Sequence, residues 1–114
     1  MSFGGVELYQ EQRRIKQAME ISIINNTKLS RFETETDGEF AFVDYRFYKG
    51  DIALMHTFVP ESGRGKGISS ALAKFALEYV KEQKLKLMVY CPFIAKYIKL
   101  HPEYEPLIDK QYRQ

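Results

Sequence analysis

Apolar and polar positions alternate with a period of two through the first half of the chain, then switch to a helical period. A short strand-like run over residues 20–24 opens at Met19 and is ended by Asn25-Asn26; residues 28–34 form a second run. Asp37-Gly38 is a hairpin turn signal. Over residues 39–48, Ala41, Val43, Tyr45 and Phe47 alternate with Phe40, Phe42, Asp44, Arg46 and Tyr48. Both sets carry aromatics, which predicts a central strand covered on both faces. Gly50-Asp51 turns the chain into a fourth strand-forming stretch over 52–59. The first half therefore reads as an antiparallel four-strand meander.

In the second half Ile68, Leu72, Phe75 and Tyr79, flanked by Ala71, Ala76 and Val80, take the spacing of a core-facing helix. That helix ends in the charged run Lys81-Glu82-Gln83-Lys84. A fifth strand follows over 85–90, so strand, helix and strand make a crossover with parallel neighbours. Cys91-Pro92 closes it, and Pro92 suits the first position of another helix. Phe93, Ile94, Tyr97 and Ile98 are that helix's apolar stripe, and Pro102 ends it before a short closing segment over 104–108. The predicted class is α+β: a mixed sheet, four antiparallel strands plus a parallel fifth, with helices packed on it.

Size and composition narrow this further. With 114 residues the chain makes one domain. Residues 1–18 carry only a ragged apolar stripe and read as an N-terminal extension, leaving 19–114 as the domain. No apolar run approaches the ~20 residues that span a bilayer, and no signal-peptide pattern is present. One cysteine excludes an internal disulfide and argues against a zinc site, so no metal is expected and the chain reads as cytoplasmic. Its formal net charge of +2, with basic and acidic residues interleaved, argues against a nucleic-acid partner. A monomer or weak homodimer is expected.

The most informative stretch lies between the fourth strand and the first helix. Gly63, Gly65 and Gly67 stand at alternate positions there. Glycines allow positive φ and close backbone approach, and the free N–H groups of a helix's first turn attract anions, so the loop suits a phosphate or pyrophosphate. It is not a nucleotide P-loop: Gly65-Lys66 is followed by Gly67 rather than Ser or Thr, and position 60 is proline. Nor is it a dinucleotide fingerprint: the third glycine would fall on Ile68 or Ser70, and the loop follows antiparallel strands.

Arg64-Gly65-Lys66-Gly67-Ile68-Ser69, after Val59-Pro60 and before a helix, resembles the acyl-CoA loop of the GNAT N-acetyltransferase superfamily. The ordered set His56-Thr57, Val59-Pro60, the loop, Cys91-Pro92-Phe93, Tyr97 and His101-Pro102-Glu103-Tyr104 is similar to a short single-domain branch, the YjdJ-like acetyltransferases. The resemblance covers about residues 20–108. Ser69 departs from the Gly or Ala that the superfamily prefers. Only residues 25–27 separate the first two strands, where typical members place two helices over the acceptor, so an open acceptor side is expected.

The resemblance implies acetyl-CoA as cofactor and transfer of its acetyl group to a primary amine. The backbone of Arg64, Gly65, Lys66, Gly67, Ile68 and Ser69 would hold the pyrophosphate, and that near Phe58 and Val59 the pantetheine arm. Tyr97 would be the general acid toward the departing thiolate, or else a core aromatic. His56, on the same strand face as Leu54 and Phe58, is the candidate base, or a structural histidine. Cys91, before a helix N-terminus, either accepts the acetyl group or lines the cofactor's arm. The acceptor, a small-molecule or protein amine, is not specified. A non-catalytic module that binds or senses acyl-CoA is the alternative. An RNA-binding sheet displaying Phe40, Phe42 and Tyr48 lacks a basic patch.

Overall fold

The computed structural model describes residues 21–112. The extension expected over 1–18, and with it the boundary at residue 19, lies outside the described residues. Five strands form one sheet in chain order. They are β1 (Ile24–Asn26), β2 (Arg31–Thr36), β3 (Glu39–Tyr48), β4 (Asp51–Phe58) and β5 (Lys86–Val89). The first four pair antiparallel and β5 lies parallel to β4. Helix α1 (Ile68–Glu82) makes the crossover between them, and α2 (Pro92–Leu100) follows β5. A 3-10 segment, Pro102–Leu107, then brings Ile108 beside Leu87 of β5.

Both helices pack on one face of the sheet and touch each other. The core between them joins Phe32, Val43 and Leu54 of the sheet to Leu72, Ala76 and Val80 of α1 and Ile94 and Ile98 of α2. Helix α1 stops in a Schellman arrangement. Leu85 N–H donates to the carbonyl of Val80 and Lys84 N–H to that of Lys81, with Lys84 left-handed at φ 56.

The expected first strand is displaced. Asn25-Asn26 was expected to end it, because asparagine favours turns; both residues lie in β1 instead. Asn25 is held there by a tertiary contact, its side-chain oxygen accepting the Tyr45 hydroxyl at 2.7 Å. The turn falls at 27–30, with the Asn26 side chain accepting Leu29 N–H at 3.1 Å, and β2 starts at Arg31 rather than residue 28.

The second correction concerns β3. Ala41, Val43 and Tyr45 face the core as expected, but no described element covers the other face. Phe40, Tyr48, Phe58 and Tyr90 are exposed there, and only Ala53 and Met88 are buried among its apolar residues. The aromatics on that face are partly shielded by a charged neighbour instead: the Arg31 guanidinium lies 4.5 Å from the Phe42 ring centre while pairing with the Glu33 carboxylate.

Candidate functional site

A single 3-10 turn, Glu61–Gly63, leads from β4 into the glycine stretch. Gly65 and Gly67 sit at φ +78 and +75, and a Cβ at either would meet no atom within 4 Å. These two glycines serve conformation and leave open space in front of the backbone. Gly63 differs. A Cβ there would lie 2.9 Å from Thr36 Cγ2, 3.0 Å from Ile68 Cδ1 and 3.2 Å from Val59 Cγ1, so this residue seats the loop against the sheet.

Gly67 is the N-cap of α1, and with no side chain it cannot cap. The first helical bond runs from Ala71 N–H to Gly67 O at 3.1 Å. The N–H groups of Ile68, Ser69 and Ser70 are therefore the helix's unpaired first-turn donors, at the positive end of its dipole. Uncapped donors behind open glycines fit a pyrophosphate. Lys66 lies beside them but its ammonium leans to Asp37 of the β2–β3 turn at 3.4 Å, an exposed pair that an anion can displace. Arg64 is exposed.

The other half of the site is a gap between strands. β4 and β5 pair from Asp51↔Lys86 to Leu54↔Val89, and Tyr90 N–H donates to Leu54 O at 3.0 Å. Beyond that point β4 runs on to Phe58 paired only with β3, while the other chain turns away at Cys91-Pro92 into α2. The strands part beyond Leu54, and the gap runs along Phe58 and Val59 to the glycine loop.

A bulge shapes this edge. Leu54 pairs with Tyr45 and His56 with Asp44, leaving Met55 as an extra residue on β4. An extra residue reverses which side chains face which side. Leu54 points into the core, whereas His56 and Phe58 lie on the helix-free face. The expected common face for Leu54, His56 and Phe58 is thus corrected. His56 is held by Asp44, whose Oδ1 accepts its backbone N–H at 2.7 Å, and its ring Nδ1 lies 3.4 Å from Oδ2. Phe58 packs on Phe42, with ring centres 5.6 Å apart.

Thr57 faces the other way, into the gap on the helix side. Its hydroxyl lies 3.1 Å from Cys91 Sγ, and Cys91 is 3% exposed. Cys91 is the N-cap of α2, as its position before Pro92 suggested, yet its thiol caps no N–H and turns to Thr57. Tyr97 lies six residues further, roughly 9 Å along the helix at 1.5 Å per residue. Its ring stacks on His101 with centroids 4.1 Å apart and leans toward Tyr104. Burial foremost, then the nearby Glu103 and Glu78 carboxylates, pushes its phenol above the ordinary value, so it stays protonated at neutral pH.

The fold thus brings the loop, Phe58, Val59 and Cys91 to one gap, with His56 and Phe58 on one side of it and Thr57 and Cys91 on the other. Tyr97 joins His101 rather than Cys91 or His56 in its described contacts. Two neighbours lacked any sequence signal: Thr57 as the partner of Cys91, and Asp44 as the partner of His56. Both depend on the bulge.

A mixed sheet that opens between its parallel strands beside a glycine turn starting a helix defines the class, and a family model described as GCN5-related N-acetyl-transferase matches residues 31–107. The chain belongs to that acetyltransferase family. It is similar to Protein NATD1 of Gallus gallus, 35% identical over 91 residues, spanning 77% of this chain and 83% of that relative. Protein NATD1 of Homo sapiens is 34% identical over 91 residues, 77% of this chain and 80% of the relative. The Mus musculus protein of the same name is 47% identical over 51 residues, 45% of this chain and 46% of that one. The solution NMR structure of a GCN5-like protein from Staphylococcus aureus superposes with a TM-score of 0.62 at 24% identity, covering 79% of this chain and 89% of that one. At that identity the match speaks to the fold. No helix among the described residues is long and apolar enough to cross a membrane.

Proposed function

We propose that the protein transfers the acetyl group of acetyl-CoA to a primary amine. The observation that carries this is the pairing of the open glycine turn with the gap that opens beyond Leu54 and runs along β4 toward that turn. The first-turn donors of α1 and the backbone of Arg64, Gly65, Lys66, Gly67, Ile68 and Ser69 would hold the pyrophosphate. The β4 edge at Phe58 and Val59 would run alongside the pantetheine arm, whose thioester is the acetyl source once bound.

Around that position His56 takes the proton of the incoming amine, and Tyr97, kept protonated, is the proton source for the thiolate that leaves. Cys91, buried and turned to Thr57, lines the gap, and acetyl passes directly to the amine. Among the described residues nothing covers the face that carries His56 and Phe58, so an amine on a macromolecule would be admitted there as readily as a small one.

The test is release of free thiol from acetyl-CoA in the presence of a panel of amines, polyamines and lysine peptides, beside a titration with CoA. Amine-dependent thiol release is expected. Tight binding without turnover on any amine would support a non-catalytic acyl-CoA-binding module, which the open acceptor face also suits. Absence of binding would sink both.

A further inference from the structure

The helix-free side of the gap holds a histidine–carboxylate pair that the chemistry above does not by itself require. Asp44 stands on the central strand β3 directly opposite His56, in the step that contains the bulge. Its carboxylate makes two contacts with the same residue. Oδ1 accepts the backbone N–H of His56 at 2.7 Å and lies 3.3 Å from ring Nδ1, while Oδ2 lies 3.4 Å from that nitrogen. The bulge disrupts the ladder at this step, and the His56 backbone N–H goes to the Asp44 side chain.

A carboxylate only accepts hydrogen bonds, so the ring nitrogen facing it must carry the proton. The neutral ring is then the Nδ1–H tautomer, and Nε2 presents its lone pair to solvent. The His56 side chain is 76% exposed, so that lone pair is accessible. Arg31, opposite Asp44 on β2, is taken up by Glu33, and the Asp44 carboxylate pairs with His56. Phe42 and Phe58 wall one side of the pair.

We infer that Asp44 is a positioning residue that fixes His56 with Nε2 as proton acceptor, so that the amine is deprotonated from the helix-free face. This rests on the acetyl-transfer reading. An arriving ammonium gives one proton to Nε2, and the imidazolium formed is balanced by Asp44. The neutral nitrogen forms its bond to the acetyl carbon as the carbon–sulfur bond breaks. Tyr97 gives its phenolic proton to the thiolate and is restored by the nitrogen's second proton, and His56 returns its proton to solvent, one released per turnover.

The chain has two histidines, so ¹⁵N imidazole spectra at mildly alkaline pH, with a His101→Gln control, assign His56 directly. The wild type is expected to show Nδ1–H, and Asp44→Ala to shift His56 toward Nε2–H, the form free imidazole side chains favour. In turnover, His56→Ala should lower kcat/KM for the amine by about 10²- to 10⁴-fold, the range of general-base contributions. Asp44→Ala should lower it by a smaller factor without raising the KM for acetyl-CoA, and should add nothing in the His56→Ala background. A wild-type His56 in the Nε2–H form, or an Asp44 effect undiminished without His56, overturns the inference. A wild type inactive on every amine instead refutes the acetyl-transfer reading, and the role of Asp44 with it.

Discussion

Two glycines of the same loop should answer to substitution in opposite ways. At Gly63 an alanine methyl would press on Thr36, Ile68 and Val59 at 2.9, 3.0 and 3.2 Å. Thr36 and Val59 are β-branched and stiff, so the methyl cannot be accommodated by a rotamer change alone. Overpacking of this kind costs about 1–3 kcal/mol. At Gly65 the methyl meets nothing, and the penalty is conformational, from holding a side chain at φ +78; the left-handed region costs about 1–2 kcal/mol. The totals overlap, so the distinguishing variant is asparagine, which tolerates positive φ but is larger than alanine. Thermal unfolding followed by circular dichroism separates the cases, since 1 kcal/mol corresponds to roughly 4–8 °C in a domain of this size. Gly65→Asn should melt higher than Gly65→Ala, whereas Gly63→Asn should melt no higher than Gly63→Ala. A wild-type melting temperature for Gly63→Ala, or recovery by asparagine at 63, would refute the assignment of these two glycines.

Other perturbations follow from the same geometry. Lys84 holds a left-handed position at the end of α1, so Lys84→Gly should stabilise by about 1 kcal/mol in urea unfolding; a loss would contradict the Schellman assignment. The phenols of Tyr45, Tyr97 and Tyr104 are all raised, burial being the first cause in each, and that of Tyr104 is further raised by its 2.7 Å bond to Glu78. Raised phenols stabilise the fold below the ordinary tyrosine range, about pH 10, and that contribution is lost as pH climbs through the folded values. Stability should therefore fall above that pH, less steeply in Tyr104→Phe; a flat alkaline profile would count against it. Cys91→Ser keeps a partner for Thr57, so turnover should persist and intact mass should show no acetylated enzyme. An acetylated wild type and an inactive serine variant would instead make Cys91 the acetyl carrier.

Periodicity made most of the fold legible. Alternation over residues 39–48 matched β3 end to end, and the stripe from Ile68 through Val80 matched α1, because both patterns are set by a single dominant core. The first strand was misplaced because Asn25 is governed by Tyr45, twenty residues away, rather than by its own turn preference. The aromatics of β3 suggest cover on both sides, since composition cannot tell a buried ring from one shielded by Arg31. The glycine loop was legible because its chemistry is local to the backbone. The orientation of His56 was not, as one unpaired residue, Met55, reverses it and leaves no mark in hydrophobic pattern.

Binding of acetyl-CoA at the glycine loop is the claim on which everything else depends. Amide chemical-shift mapping during an acetyl-CoA titration tests it most directly, in the wild type and in Gly67→Val, which forces a β-branched side chain to φ +75 in front of the α1 donors. Saturable shifts centred on Gly65, Lys66, Gly67, Ile68 and Ser69 and extending to Phe58, Val59 and Cys91 are expected, with affinity lost in a still-folded Gly67→Val. Shifts confined elsewhere, or undiminished affinity in that variant, would contradict it.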